Sequence, residues 1–328
     1  MNVKEEQSLY ENFLKTVKEK VPNKTVLVKR ITELLNIDKD LVYRRLRGDV
    51  PFSFPEIALI SKSLNISLDN MVGIESETSR PIQLKLIDYV HPTEKDYNML
   101  EEYNEVVRSA KDIPNTELGE SSNTLPLSFY LKYTYLSRFY LFKWNFQYHI
   151  PQQKKFHELT VPERLNDVFQ KYTIYMEYFS ISYYLWDPWI FKYLVNDIRY
   201  FFDIGLIKKE DINLIANDLL QLLGFVEDLC RTGCYKTGNK VYLFISDINL
   251  NTFHSYLDVS YAKISLFSSF FNNTSSSVDE RIFFKTKNWI QSLLRTSTMI
   301  TLSNEKQRIA FFYKQREIIS QLLDKTEA

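Results

Sequence analysis

The chain has 328 residues, 45% hydrophobic and 25% charged, with 41 Lys and Arg balanced by 41 Asp and Glu. That composition suits a soluble globular protein of about two domains and excludes a chain-wide basic field that would announce nucleic acid. Two cysteines argue against a disulfide framework and for a reducing cytoplasm, the charged start MNVKEEQSLYENF lacks a secretory signal, and no long uncharged apolar run predicts a membrane span.

Averages hide a boundary. Residues 1–72 carry 12 Lys and Arg against 10 Asp and Glu, and five of the chain's aromatic residues precede Pro81 while all four Trp follow it. The polar stretch ESETSRP marks the change. Three segments are expected: a head over residues 1–74, a linker over 75–81, and a larger C-terminal domain over 82–328.

In the head, Leu9, Phe13, Leu14 and Val17 form a helical stripe that Pro22 ends. Thr25 is placed to cap a second helix with Leu27, Ile31, Leu34 and Leu35 inward. Asn36 sits where a tight turn needs a left-handed residue, and Asp38 is placed to cap a third helix over residues 39–47. Stepping about 100° per residue, Val42 and Leu46 fall together on one side of that helix. Asp40, Tyr43, Arg44 and Arg47 spread over the other, and Arg45 stands at the edge of the apolar side. Gly48 is the expected stop, Ser53 and Glu56 form a capping box for a fourth helix, and Ser67 caps a last short turn, LDNMV.

This order of five short helices, with a three-residue turn between the second and third, is that of a helix-turn-helix. The run RLRGD through FPEIALISKSLNISLDNMV resembles the phage-repressor and Cro type over about residues 23–73. It departs from that type at Asn36 in place of the turn glycine, at Leu27 and Val28 in place of a polar pair, and at Thr32 in place of a small alanine. The whole chain is similar to bacterial one-component regulators in which a repressor-like head precedes a large helical region of unassigned role.

The resemblance implies that the third helix enters the major groove of double-stranded DNA, with Asp38, Lys39, Asp40, Tyr43, Arg44 and Arg47 toward it. Lys39, Asp40, Tyr43, Arg44 and Arg47 are therefore the base-facing candidates, and Lys24, Lys29 and Arg30 the phosphate candidates. The bland reading of such a face is a solvated surface. About four to six phosphate-capable cations per copy give weak binding, so a homodimer on two half-sites is expected.

Beyond residue 81 the periodicity predicts helices over 93–111, 128–150, 162–180, 187–203, 208–229, 278–297 and 303–323, the second of them strongly aromatic. PNTELGESSNT reads as a polar loop and NNTSSS, with its sequon at Asn272, as another. NKVYLFISDINL and YAKISLFSSFF predict two or three antiparallel strands within 240–271. The expected fold is thus mainly α, all-alpha but for a small antiparallel β element. The aromatic stripes either fill a helical core or dimer seam, or line a pocket for a small hydrophobic or planar effector.

Catalysis finds little support. His91, His149, His157 and His254 lack metal-ligand spacing, and Cys230 and Cys234 have no companion cluster. No P-loop or dinucleotide fingerprint occurs. No catalytic residue, metal ligand or cofactor site is therefore assigned. Two rival readings stand beside a cytoplasmic DNA-binding regulator: a scaffold whose helix-turn-helix docks protein, and an enzyme with an aromatic-lined site.

Overall fold

The computed structural model describes residues 3–64, 66, 68, 82–84, 86–89, 91–148, 155–250, 252–270 and 273–324. The chain divides into two compact units, Met1–Pro81 and Ile82–Ala328. The predicted linker and nearly all of the LDNMV turn lie outside the described residues.

In the first unit, α1 (Val3–Lys20), α2 (Lys24–Leu35), α3 (Lys39–Arg47) and α4 (Phe54–Leu64) enclose one core. Val17, Ile31, Val42 and Ile60 each expose 1% or less. Burying such a side chain stabilises the unit by about 1.5–3 kcal/mol, so α3 is fastened chiefly through Val42 and Leu46. The cap of α2 differs from expectation. Asn23, not Thr25, precedes the helix, and its side chain accepts from Thr25 N at 3.0 Å and Val26 N at 3.2 Å. An Asn carbonyl reaches these orphan donors as well as a Thr hydroxyl, and Pro22 holds the chain extended before it.

The second unit overturns the mainly α, all-alpha expectation, because an eight-stranded mixed sheet runs through its described residues. Its strands are β1 (Gln83–Leu84), β2 (Glu117–Ser122), β3 (Ile181–Trp186), β4 (Lys240–Ser246), β5 (His254–Asp258), β6 (Lys263–Phe270), β7 (Asn273–Ser277) and β8 (Ser297–Met299), in spatial order β1-β7-β6-β5-β2-β3-β4-β8. β2, β3 and β4 are mutually parallel; all other neighbours are antiparallel.

The helices of this unit are α5 (Glu94–Arg108), α6 (Leu127–Tyr130), α7 (Thr134–Tyr148), α8 (Glu163–Met176), α9 (Ile190–Asp203), α10 (Lys209–Thr232), α11 (Glu280–Leu294) and α12 (Glu305–Asp324). α6 to α8 cross from β2 to β3, and α9 and α10 from β3 to β4, as parallel pairing requires. The single aromatic helix expected over 128–150 is therefore two, α6 and α7. Helix α5 starts where expected, with Thr93 and Asp96 closing a reciprocal capping box. NKVYLFISDINL contains β4, but it pairs parallel with β3 rather than in a hairpin, and YAKISLFSSFF contains β6.

The two missed parallel strands share a cause. A central parallel strand is covered on both faces and shows no alternation. In β2, ELGESS, the residues Glu120, Ser121 and Ser122 are all buried despite their polarity. The main core lies on the face of Leu118, Tyr184, Trp186 and Leu243, under the crossover helices, while α11 covers the other face through Phe283 and Ile290. On that second face Gly119 opposes Tyr256, and a Cβ at position 119 would lie 2.1 Å from the tyrosine ring, so only glycine fits.

Candidate nucleic-acid interface

Helix α3 is set by its two ends. Asn36 takes φ 51°, ψ 49°, the left-handed turn that lets α2 stop and α3 begin at a new angle. Asp38 occupies the N-cap position, but its side chain makes no capping bond there. Gly48 takes φ 91°, and the Gly48 and Asp49 amides donate to Arg45 O and Arg44 O, both at 3.0 Å. With Val42 and Leu46 inward, Lys39, Asp40, Arg44 and Arg47 are exposed and Tyr43 is half-buried.

These side chains differ in freedom. Arg44, Lys39 and Asp40 have no ion-pair or hydrogen-bond partner among the described residues. Arg47 pairs with Asp49 at 2.8 Å, but at 62% side-chain exposure that contact contributes little. Tyr43 carries the Lys24 ammonium 5.3 Å from its ring centroid. Among the phosphate candidates, Lys29 lies 3.9 Å from Glu33, again exposed, while Arg30 donates to Ser63 O at 2.6 Å and so ties α2 to the end of α4. Lys24 stands in the first turn of α2, where the helix dipole is positive.

A groove of about 330 Å³ opens beside α3, lined by Val21, Pro22, Leu27 and Leu46, with Tyr43 and the cations Lys18, Lys24 and Arg47 at its rim. Lys18 is not among the residues that the sequence points to. Its only signal there is a charge on the polar side of a helix, and its approach to α3 is a matter of folding.

Arg45, at the edge of the apolar side, also has a role that periodicity does not give. Its guanidinium pairs with Glu56 and lies 5.4 Å from the Phe52 ring centroid. Glu56 also accepts from Ser53 N and Ser53 Oγ, both at 2.7 Å. Burial works to raise the Glu56 carboxyl, but the bonds from Ser53 and Arg45 outweigh it and hold the group below the usual range. The Ser-x-x-Glu box thus does two things: it starts α4 and it locks the C-terminal half of α3 against that start.

The second unit uses its aromatic residues on one another. Tyr130 stacks on Tyr140 at 3.8 Å, and Phe129 meets Tyr184 and Trp186 edge-on at 4.8 and 5.3 Å. Tyr184 and Tyr235 share a hydroxyl contact of 3.1 Å. Within this core lies Glu120, 4% exposed, with its Oε1 atom unbonded among the described residues. Burial pushes its carboxyl up to about 8, so the group is largely protonated at neutral pH. Cys230 is buried and Cys234 half-buried, both free, and burial raises the Cys230 thiol to about 12. Burial also lowers His254, which packs on Trp289 at 4.6 Å; His149 lies outside the described residues. Among the described residues no group of three or more His, Cys, Asp or Glu is placed to hold a metal, and no helix is long and apolar enough to cross a membrane.

Compared with protein families, curated proteins and solved structures, the chain matches none.

Proposed function

We propose that the chain is a sequence-specific DNA-binding transcriptional regulator of the helix-turn-helix class, working in the cytoplasm as a homodimer. The observation that carries this reading is the two-sided character of α3. Val42 and Leu46 are buried, Arg45 is locked to Glu56, and the opposite side presents Arg44 unpaired beside Lys39, Asp40, Tyr43 and Arg47. A solvated helix does not need its buried edge held by so specific a clamp.

Arg44 reaches a guanine edge, where a bidentate contact discriminates by about 1–3 kcal/mol. Arg47 exchanges Asp49 for the duplex, and Tyr43 packs on a thymine methyl or bonds a phosphate. Lys24 and Lys18, at the groove rim, and Lys29 meet the backbone and fix register without reading sequence. Arg30, already bonded to Ser63 O, holds the helices in place and touches phosphate secondarily. So few cations bind one half-site weakly, and two copies are needed for useful affinity.

A second reading, a head that docks protein, is favoured by Phe54 at 75% and Leu59 at 47% exposure on α4. Selection of bound DNA from a random pool by the full chain separates the two. A recovered site with two half-sites supports the regulator; salt-insensitive binding with no recovered sequence supports the docking module.

A further inference from the structure

Buried polar groups in folded proteins almost always find a partner, and a carboxyl without one is a costly exception. Glu120 is such an exception. It stands in the middle of the sheet, 4% exposed, and makes no hydrogen bond or ion pair among the described residues. Ser182, one strand away on the same face, is fully buried and its Oγ is equally unbonded. Tyr184 lies beside Glu120 in the register, and its hydroxyl meets that of Tyr235 at 3.1 Å. Tyr103 on α5 and Tyr172 on α8 complete the surround, their ring centroids 6.1 Å apart. These four phenols lie within electrostatic reach of the Glu120 carboxyl. Tyr103 and Tyr172 are only half-buried, and their hydroxyls have no partner among the described residues, so the cluster reaches the surface through them.

The chemistry of this cluster is one-sided. It offers a carboxyl, hydroxyl oxygens and the electron-rich faces of tyrosine rings. No cation of the chain acts on the Glu120 carboxyl; burial alone shifts it. An anion finds nothing there to neutralise it. A metal ion takes about four or more ligands, and among the described residues no group of three or more His, Cys, Asp or Glu is placed to supply them. An organic ammonium ion is matched on both counts, by a carboxylate to pair with and by ring faces to lie against.

We infer that Glu120 and its four tyrosines form a binding site for a small organic ammonium ion, entered between Tyr103 and Tyr172. Burial keeps the carboxyl of the free chain largely protonated at neutral pH. As the ion enters, Glu120 releases that proton to the solvent, the ammonium takes its place as the carboxylate's partner, and the rings enclose the alkyl groups. The site lies wholly in the C-terminal unit and does not depend on the DNA reading.

The test is titration of the full chain with methylammonium, ethylammonium and tetramethylammonium chlorides at neutral pH and constant ionic strength. Sodium chloride and the neutral tert-butanol are the controls, and tryptophan fluorescence and calorimetry the readouts. The expected result is saturable binding of at least one ammonium ion and of neither control. Up to about one proton should leave per ion bound, seen as a heat that changes with the ionisation enthalpy of the buffer. Glu120→Gln keeps the shape and cannot ionise. It should weaken binding by about 10-fold or more, the scale of a hydrogen bond to a charged group, and abolish the proton release. Tyr172→Phe should bind as the parent does, and Tyr172→Leu about 5-fold more weakly, each with unchanged circular dichroism. Should Glu120→Gln fail to fold, the Tyr172 pair and the parent's proton count still decide. Binding of no ammonium ion, binding without proton release, or equal binding by Glu120→Gln overturns the inference. A chain that binds the ion and selects no DNA site keeps this site and loses the regulator reading; one that selects DNA and binds no ion does the reverse.

Discussion

Replacing Glu120 by Gln should make the C-terminal unit more stable at alkaline pH. The carboxyl opposes Tyr184 and Ser255 in the sheet register, is 4% exposed, and leaves Oε1 without a bond among the described residues. Burial raises it from 4.5 to about 8. The folded unit therefore holds a proton that the unfolded chain releases in that window. Stability contributed by this group is fully present below about pH 4.5, falls as pH rises toward 8, and levels off above. At about 1.4 kcal/mol for each tenfold change in proton affinity, ionising it in place costs about 3–5 kcal/mol. Gln is nearly isosteric and cannot ionise, so the advantage of the variant over the parent should grow by that amount between pH 5 and pH 9. All four Trp lie in this unit, so urea denaturation followed by tryptophan fluorescence reads it directly. The difference between variant and parent cancels Glu177 and Asp218, whose carboxyls burial also raises. A gap that does not change with pH would refute the reasoning: Glu120 would then be ionised and compensated in the folded unit.

Three other outcomes follow from named contacts. Glu56→Gln should cost the head about 1–3 kcal/mol, read as faster amide hydrogen exchange in α3 and α4. Because its carboxyl is held low, the parent's advantage should persist above the ordinary glutamate range and vanish as pH falls through the lower folded value. Gly119→Ala should destabilise the C-terminal unit by about 1–3 kcal/mol or more, read as a lower denaturation midpoint. The Tyr256 ring it strikes is anchored to Glu117 at 2.6 Å, and an unchanged midpoint would show that the ring moves freely. On a selected DNA site, the logarithm of affinity should fall with the logarithm of salt by about 0.9 per phosphate contacted, and Lys24→Ala should shallow that slope by about one contact. An unaltered slope would remove Lys24 from the phosphate set.

The helices of the head were legible because each local signal agrees with its neighbours. Pro22, Asn36, Gly48 and the Ser53–Glu56 box punctuate four runs of helical period, and α3 occupies the stretch that periodicity assigns it. What escaped there was pairwise and non-local: the Arg45–Glu56 clamp and Lys18 at the groove rim join residues from different helices. In the C-terminal unit the sheet was largely illegible for a different reason. ELGESS looks like a loop, and its burial follows from its place between β3 and β5, not from its own residues. ISYYLW lay hidden between two predicted helices, and the polar NNTSSS hid β7, an antiparallel partner of β6. Strands buried on both faces need only be flat and covered, and composition gives little warning of that.

The most direct measurement is the binding of Arg44→Ala and Arg47→Ala full-length chains to a selected DNA site and to each single-base variant of it. If α3 reads bases, Arg44→Ala should lose affinity by about 5- to 150-fold on the parent site and become indifferent to the base at one position of each half-site. Equal weakening across all variants, or no weakening at all, would mean that this face of α3 does not read DNA.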